Sequence, residues 1–178
     1  DSVATRAKVV RIEHRTGGAI ERDVALIDAV AVDDPYVGSL ELFVPETMRA
    51  ALLTRADPSS IGFSSIGGLL EPVAADDPDG LYLRFATEDA DAQYWVHAPT
   101  APGHHSWIGI AEVRRVTCGE VIEIPGPLLL AFDGERKRRL RVGEVAALHV
   151  ERDGPIVIDV RAVMAHAAAT GLFVRTGV

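Results

Sequence analysis

A few short stretches of this chain carry residue types that do chemistry. Richest is Pro58-Ser59-Ser60-Ile61-Gly62-Phe63-Ser64-Ser65-Ile66-Gly67-Gly68. Glycines let a backbone come close to a ligand, and serine hydroxyls with exposed N–H groups bind phosphate or ribose oxygens. The same composition also makes an ordinary surface loop. A second stretch, Ala131-Phe132-Asp133-Gly134-Glu135, joins an apolar run to the basic run Arg136–Arg141. Asp-Gly is a hairpin turn signal in its own right, and Glu135 is either a solvated turn residue or a group that holds a divalent ion or polarises a hydroxyl. In the third, His97-Ala98-Pro99-Thr100-Ala101-Pro102-Gly103-His104-His105, the prolines stiffen a connection suited to lining a cleft. Its adjacent histidines invite a metal, but no carboxylate or cysteine stands at ligand spacing, so no metal site is expected. Asp28 interrupts an apolar run, where a carboxylate needs a ligand, a backbone group to cap, or an exposed face.

The elements that would position these residues read mainly as strands. Lys8–His14 is β-branched and ends at Thr16-Gly17-Gly18, and Val24–Val32 reads as one buried strand closed by Asp33-Asp34-Pro35. Pro45 suits the first turn of a helix that runs to Ala56, with Met48, Leu52 and Leu53 on one face. Ile61–Gly68 is too rich in Ser and Gly for a plain strand. Strands follow at Leu81–Phe85, Gln93–Ala98 and Ile108–Val116, with a loop at Pro99–Gly103. Further strands are expected near Val121–Ile124, Leu128–Phe132, Arg138–Val142, Val145–Val150 and Ile156–Ile158, spaced as in a sandwich or barrel. Asp159 caps a closing helix, Val160–Ala169, that Gly171 ends. The fold class expected is mostly β (α+β), with about two helices.

Composition narrows the function classes. The chain has 178 residues, 48% of them hydrophobic and 25% charged, as in a soluble globular domain. A net charge of −8 argues against nucleic acid as a partner, despite the local basic cluster. The apolar runs are too short to span a membrane, and no signal peptide opens the chain. Asp1 is not a start methionine, so processing or a chosen boundary is expected to have removed what came before. Cys118 stands alone, which fits a reducing cytoplasm and excludes a multi-cysteine zinc site. Neither a Gly-x-Ser-x-Gly elbow, nor a phosphate loop of the Gly-x-x-x-x-Gly-Lys type, nor a Gly-x-Gly-x-x-Gly turn is present.

Taken in order, the segments resemble the C-terminal domain of the NAD kinase/diacylglycerol kinase superfamily, in its ATP-NAD-kinase-like, acetoin-catabolism X branch. Asp23–Val30 is similar to the opening strand, Ile61–Gly68 to the nucleotide-binding loop, Ala98–His104 to the proline- and histidine-containing segment, and Leu130–Glu135 with Arg139–Val145 to the Asp-Gly-Glu hairpin. The resemblance covers about Lys8 to Val160. It implies a β-sandwich-like domain: residues 1–178 as one β-rich unit, the C-terminal half of a two-domain protein whose phosphate-loop domain is absent here. Activity so implied is ATP-dependent phosphoryl transfer to a hydroxyl, with ATP and Mg2+ as cofactors and NAD(P) a further possible ligand. Ser64, Ser65, Gly67, Gly68, Asp28 and Thr100 would then bind nucleotide or acceptor, and Glu135 and Asp133 would be catalytic. Where NAD kinases carry Asn-Glu in the opening strand, this chain has Ile27-Asp28. A non-catalytic nucleotide-sensing domain, or an assembly domain whose edge strands pair into a homo-oligomer, is the alternative.

Overall fold

A computed structural model describes residues 3–34 and 43–177. Within them are thirteen strands and two α-helices. All of the strand pairs are antiparallel. The chain runs β1 (Ala4–Arg6), β2 (Val9–Thr16), β3 (Ala19–Ala25), β4 (Asp28–Val32), β5 (Met48–Leu53), α1 (Phe63–Gly68), β6 (Asp79–Phe85), β7 (Tyr94–Ala101), β8 (His104–Thr117), β9 (Ile122–Pro125), β10 (Leu128–Phe132), β11 (Arg136–Leu140), β12 (Val145–Glu151), β13 (Ile156–Ile158) and α2 (Val160–Ala169).

Seven strands form one sheet in the order β11-β10-β4-β5-β6-β8-β7, and four form a second in the order β3-β2-β12-β9. A two-residue side-chain period sorts the large sheet into two faces. Ala29, Ala31, Ala50, Leu52, Leu130 and Phe132 point toward Ile12, Ile124, Leu148 and Val150 of the small sheet, and this packing makes one core. Val30, Val32, Ala51, Leu53, Leu81 and Leu83 point the other way, where Phe63 and Ile66 of α1 pack on them. The remaining pair, β1 with β13, stands as a separate two-stranded ribbon.

Several sequence expectations need correcting. Val24–Val32 is not one strand: it breaks at Leu26-Ile27, between β3 and β4, so that one half joins each sheet. The helix expected over Pro45–Ala56 shrinks to a 3-10 turn at Pro45–Thr47, and Met48–Leu53 is instead a central strand between β4 and β6. Its good helix formers are overruled because both strand edges are paired and four of its last residues are buried. Ile61–Gly68 supplies the helix in its place, as α1. The Pro99–Gly103 loop is shorter than expected, since β7 continues to Ala101. Proline is tolerated there because β7 is the sheet's edge.

Two basic side chains lock the turn before β6. Buried Lys8 donates to the carbonyls of Ala74 and Asp79, and Arg152 donates to those of Ala75, Asp76 and Asp77. Burial, and then the Arg152 charge, hold the Lys8 ammonium below its ordinary pKa. The basic strand β11 is answered by acids of β3: Arg136 pairs with Asp23 and Arg138 with Glu21. This cluster therefore ties one sheet to the other. No helix among the described residues is long and apolar enough to cross a membrane.

Candidate functional site

Most of the Ser/Gly stretch is consumed by its own folding. Asp57 accepts hydrogen bonds from the Ser59 N–H (2.8 Å) and hydroxyl (2.7 Å), which hold its carboxyl below the ordinary range. Ser60 Oγ donates to the Asp57 carbonyl at 2.7 Å. Ser64 Oγ accepts from the Asp57 N–H at 3.1 Å and donates to the Arg55 carbonyl at 3.4 Å. Gly67 and Gly68 serve close packing: a Cβ on Gly68 would lie 2.4 Å from the Pro58 nitrogen, and one on Gly67 would lie 2.8 Å from both Leu53 and Leu81 side chains. Gly62 enters α1 at φ 80° and donates to the Pro99 carbonyl at 2.9 Å, covering the outer edge of β7.

Two hydroxyls are left over. Ser65 Oγ and Thr100 Oγ1 are buried and have no hydrogen-bond partner among the described residues. An orphaned buried hydroxyl costs about 1–3 kcal/mol, so a partner at these positions would be stabilising. Thr100 continues the buried alternation of Val96 and Ala98 along β7, and Ser65 lies in α1, whose contacts include β7.

Asp28 and Asp133 come together where β4 and β10 pair, although 105 residues separate them in the chain. Asp133 sits after β10 at φ 52°, a left-handed conformation in a turn with Gly134. From there its carboxylate accepts from the N–H groups of Leu26 (2.9 Å) and Ile27 (2.8 Å), with Asp28 N–H farther away at 3.4 Å. The Asp133 N–H in turn donates to the Asp28 carbonyl at 3.0 Å. Asp133 thus fills the break between β3 and β4 with acceptors. Asp28 itself is mostly buried, and burial, reinforced by the Asp133 charge, raises its carboxyl from 3.8 to about 6. Glu135 is exposed in the β10–β11 turn.

Strand register puts Asp28 on the face of Val30 and Val32, opposite Leu53 of β5. This is the face that α1 covers. Asp28 therefore lies on the face that α1 covers, but the Asp28–Asp133 pair sits at β4 and β10 whereas Ser64, Ser65, Gly67, Gly68 and Thr100 sit at α1 and β7, and no hydrogen bond joins the two groups among the described residues. Glu135 is apart from them. An open groove of ≈ 320 Å³ borders the α1 group, lined in part by Arg55, Asp57 and Pro58, which seat Ser64 and Gly68.

The histidine segment forms an exposed aromatic surface. His97 stacks on Trp107 (ring centroids 4.8 Å) and lies beside His105 (5.4 Å). No group of three or more His, Cys, Asp or Glu that could hold a metal occurs among the described residues. Sequence reasoning missed the Leu26–Asp28 N–H groups that hold Asp133; backbone donors leave no mark on residue type, and only the φ-tolerant Asp-Gly turn hinted at them.

A protein of Cupriavidus necator named acetoin catabolism protein X is 33% identical over 153 residues, which cover 84% of this chain and 42% of that protein. The chain thus spans less than half the length of this relative. The acetoin catabolism protein X C-terminal domain matches residues 8–153, which take in both large sheets, α1 and the Asp28–Asp133 pair. By the extent of that match, the chain belongs to the acetoin catabolism protein X C-terminal domain family.

Proposed function

We propose that this chain is the acceptor-binding half of an ATP-dependent small-molecule kinase, built on the β-sandwich-like C-terminal domain of the NAD kinase/diacylglycerol kinase superfamily and working in the cytoplasm in acetoin catabolism. One observation supports the reading: Asp28, a mostly buried carboxyl raised to about 6 by burial and by the Asp133 charge, lies on the sheet face that α1 covers. A carboxylate whose proton affinity lies near neutrality suits a general base. In the proposed reaction the acceptor oxygen bonds the γ-phosphorus of ATP as the bond to the ADP oxygen breaks. The hydroxyl proton passes to Asp28. Asp133 fixes the backbone of Leu26–Asp28 and so positions that base.

Among the described residues no group of three metal-ligating side chains is formed that would hold magnesium by protein ligands alone. Asp133 already accepts from backbone donors, and Asp28 with Glu135 makes no metal-binding group among the described residues. We assign the ATP phosphates and their Mg2+ to the rest of the protein, and derive no step through the metal. NAD(P) and small hydroxyketones such as acetoin are the acceptors to try first. The competing reading, a non-catalytic nucleotide-sensing domain, is favoured by the internal use of Ser64 and Asp133.

The test is ATP turnover by the full-length protein with these acceptors, for wild type and Asp28→Asn. The reading predicts turnover in wild type and a kcat loss of about 100-fold or more in the variant with KM little changed. Absence of turnover with every acceptor sinks the kinase. A rise in melting temperature with ATP or NAD(P), without turnover, establishes the sensor instead.

A further inference from the structure

The hairpin of β7 and β8 carries a face that the rest of the described fold leaves uncovered. Val96, Ala98, Ile108 and Ile110 turn toward α1 and the core beneath it. The residues that alternate with them, Trp95, His97, His105 and Trp107, therefore turn to the other side of the sheet. The small sheet covers that side only as far as the end of β8, since the core it makes takes in Val116 but no residue of β7. Trp95, His97, His105 and Trp107 are accordingly exposed, Trp107 at 61%.

Two imidazoles meet on this face. His97 stands opposite Trp107 in the strand register and stacks on it at 4.8 Å, while His105 stands opposite Pro99 and is the diagonal neighbour of His97. The His97 and His105 ring centroids are 5.4 Å apart, with a tilt of 39°. A zinc-bound imidazole nitrogen lies about 2.0–2.1 Å from the ion, which places its ring centre about 3.2 Å away. Two such rings at a tetrahedral angle have centres about 5 Å apart. The observed spacing matches. Neither ring takes part in a hydrogen bond or ion pair among the described residues. His104 differs on both counts: it alternates to the opposite face, and Ser106 Oγ engages its Nε2 at 3.3 Å. Adjacent histidines on a strand diverge, so spacing along the chain did not show the pair, which converges across the hairpin.

We propose that His97 and His105 hold one divalent transition-metal ion of the zinc type, with water in its remaining positions. No third His, Cys, Asp or Glu completes the set among the described residues, so the ion keeps open positions and exchanges with solvent. Stacking on Trp107 fixes the plane of the His97 ring. Acids draw cations to this face: Asp89 and Asp91 stand in a turn packed on β8 beside Trp95, where a Cβ on Gly109 would meet Ala92 at 3.4 Å and the Trp95 ring at 3.5 Å. The site is distinct from Asp28. β8, β6 and β5 lie between β7 and β4, and the two sites are on opposite faces of the large sheet. The ion therefore takes no part in the phosphoryl transfer proposed above.

Co2+ is the probe, because it takes the place of zinc in tetrahedral nitrogen sites and quenches nearby tryptophan emission. Titration of the full-length protein with Co2+ is expected to quench tryptophan emission, and Zn2+ to reverse the quench. The midpoint should rise about 100-fold in His97→Gln and in His105→Gln, each of which loses one of two linked ligands, and stay in place in His104→Gln. All three side chains are exposed, so the substitutions leave the fold intact. His97 touches Trp107, so its variant also changes the starting emission, and the midpoint is read instead of the depth of quenching. A midpoint unmoved in either His97→Gln or His105→Gln overturns the proposal. So does a shift in His104→Gln as large as theirs, or a quench that Zn2+ does not reverse.

Discussion

Removing the charge of Asp28 should make the protein more stable and less useful. Its carboxyl binds a proton more tightly when folded, at about 6 against 3.8, because burial and the Asp133 charge both disfavour ionisation. At about 1.4 kcal/mol per tenfold change in proton affinity, the ionised form costs the fold roughly 3 kcal/mol, and about 2–3 after allowing for contact with solvent. The direction follows from linkage: between 3.8 and about 6 the native state holds more protons than the unfolded one, so stability falls as pH rises through that window. Below it the cost vanishes, and above it the full cost is present. Asp28→Asn removes it. Urea unfolding of both proteins at steps from pH 3.5 to 8 should show the variant more stable by about 2–3 kcal/mol at pH 8, with the difference closing below about pH 4. Other carboxylates, such as Asp57 and Asp153, are held low by their partners and shift both curves alike, so the difference isolates Asp28. Two profiles that stay parallel across the whole range would refute the account of Asp28 as a mostly buried, ionised acid.

Three further substitutions, at Asp133 and Gly68, probe the two groups. Asp133→Ala loses the acceptor for the Leu26 and Ile27 N–H groups and places alanine at φ 52°; it should cost about 3–4 kcal/mol in urea unfolding. Asp133→Asn keeps one acceptor and tolerates that conformation, so it should cost about half as much and should also bring the Asp28 carboxyl down, readable by carbon NMR titration. Gly68→Ala puts a methyl 2.4 Å from the Pro58 nitrogen; the overlap is with backbone, so α1 must lift, at about 1–3 kcal/mol with faster exchange over Phe63–Leu69.

The sequence carried the strands whose pattern is local. Leu128–Phe132, Ile156–Ile158 and the capped helix Val160–Ala169 stand where apolar runs and turn residues place them, and Asp159 accepts from the Ala162 N–H as a cap should. What the sequence hid depended on distant partners. Met48-Arg49-Ala50-Ala51-Leu52-Leu53 has the composition of a helix and is a strand only because β4 and β6 flank it. The break at Leu26-Ile27 is held by an acceptor 106 residues away from Ile27. Of the site, the residue types were legible and their uses were not. Three of the serines serve the turn that carries them, and only a buried hydroxyl without a partner among the described residues sets Ser65 apart from them.

The paired ends also set how the domain would respond to tension. In the antiparallel β1–β13 ribbon, Ala4 faces Ile158 and Arg6 faces Ile156, so a pull on the chain before Ala4 and after Ile158 separates the strands from one end. Hydrogen bonds then break in succession, each bearing the load alone, instead of sharing it in shear. Beyond Ala7 and Gly154 the fork would reach Val9 and Val10, fully buried and paired to Glu151 and Val150. A force acting at the ends would therefore open a short zipper first and leave the Asp28 face undisturbed, a mechanical fuse between that face and whatever moves outside it.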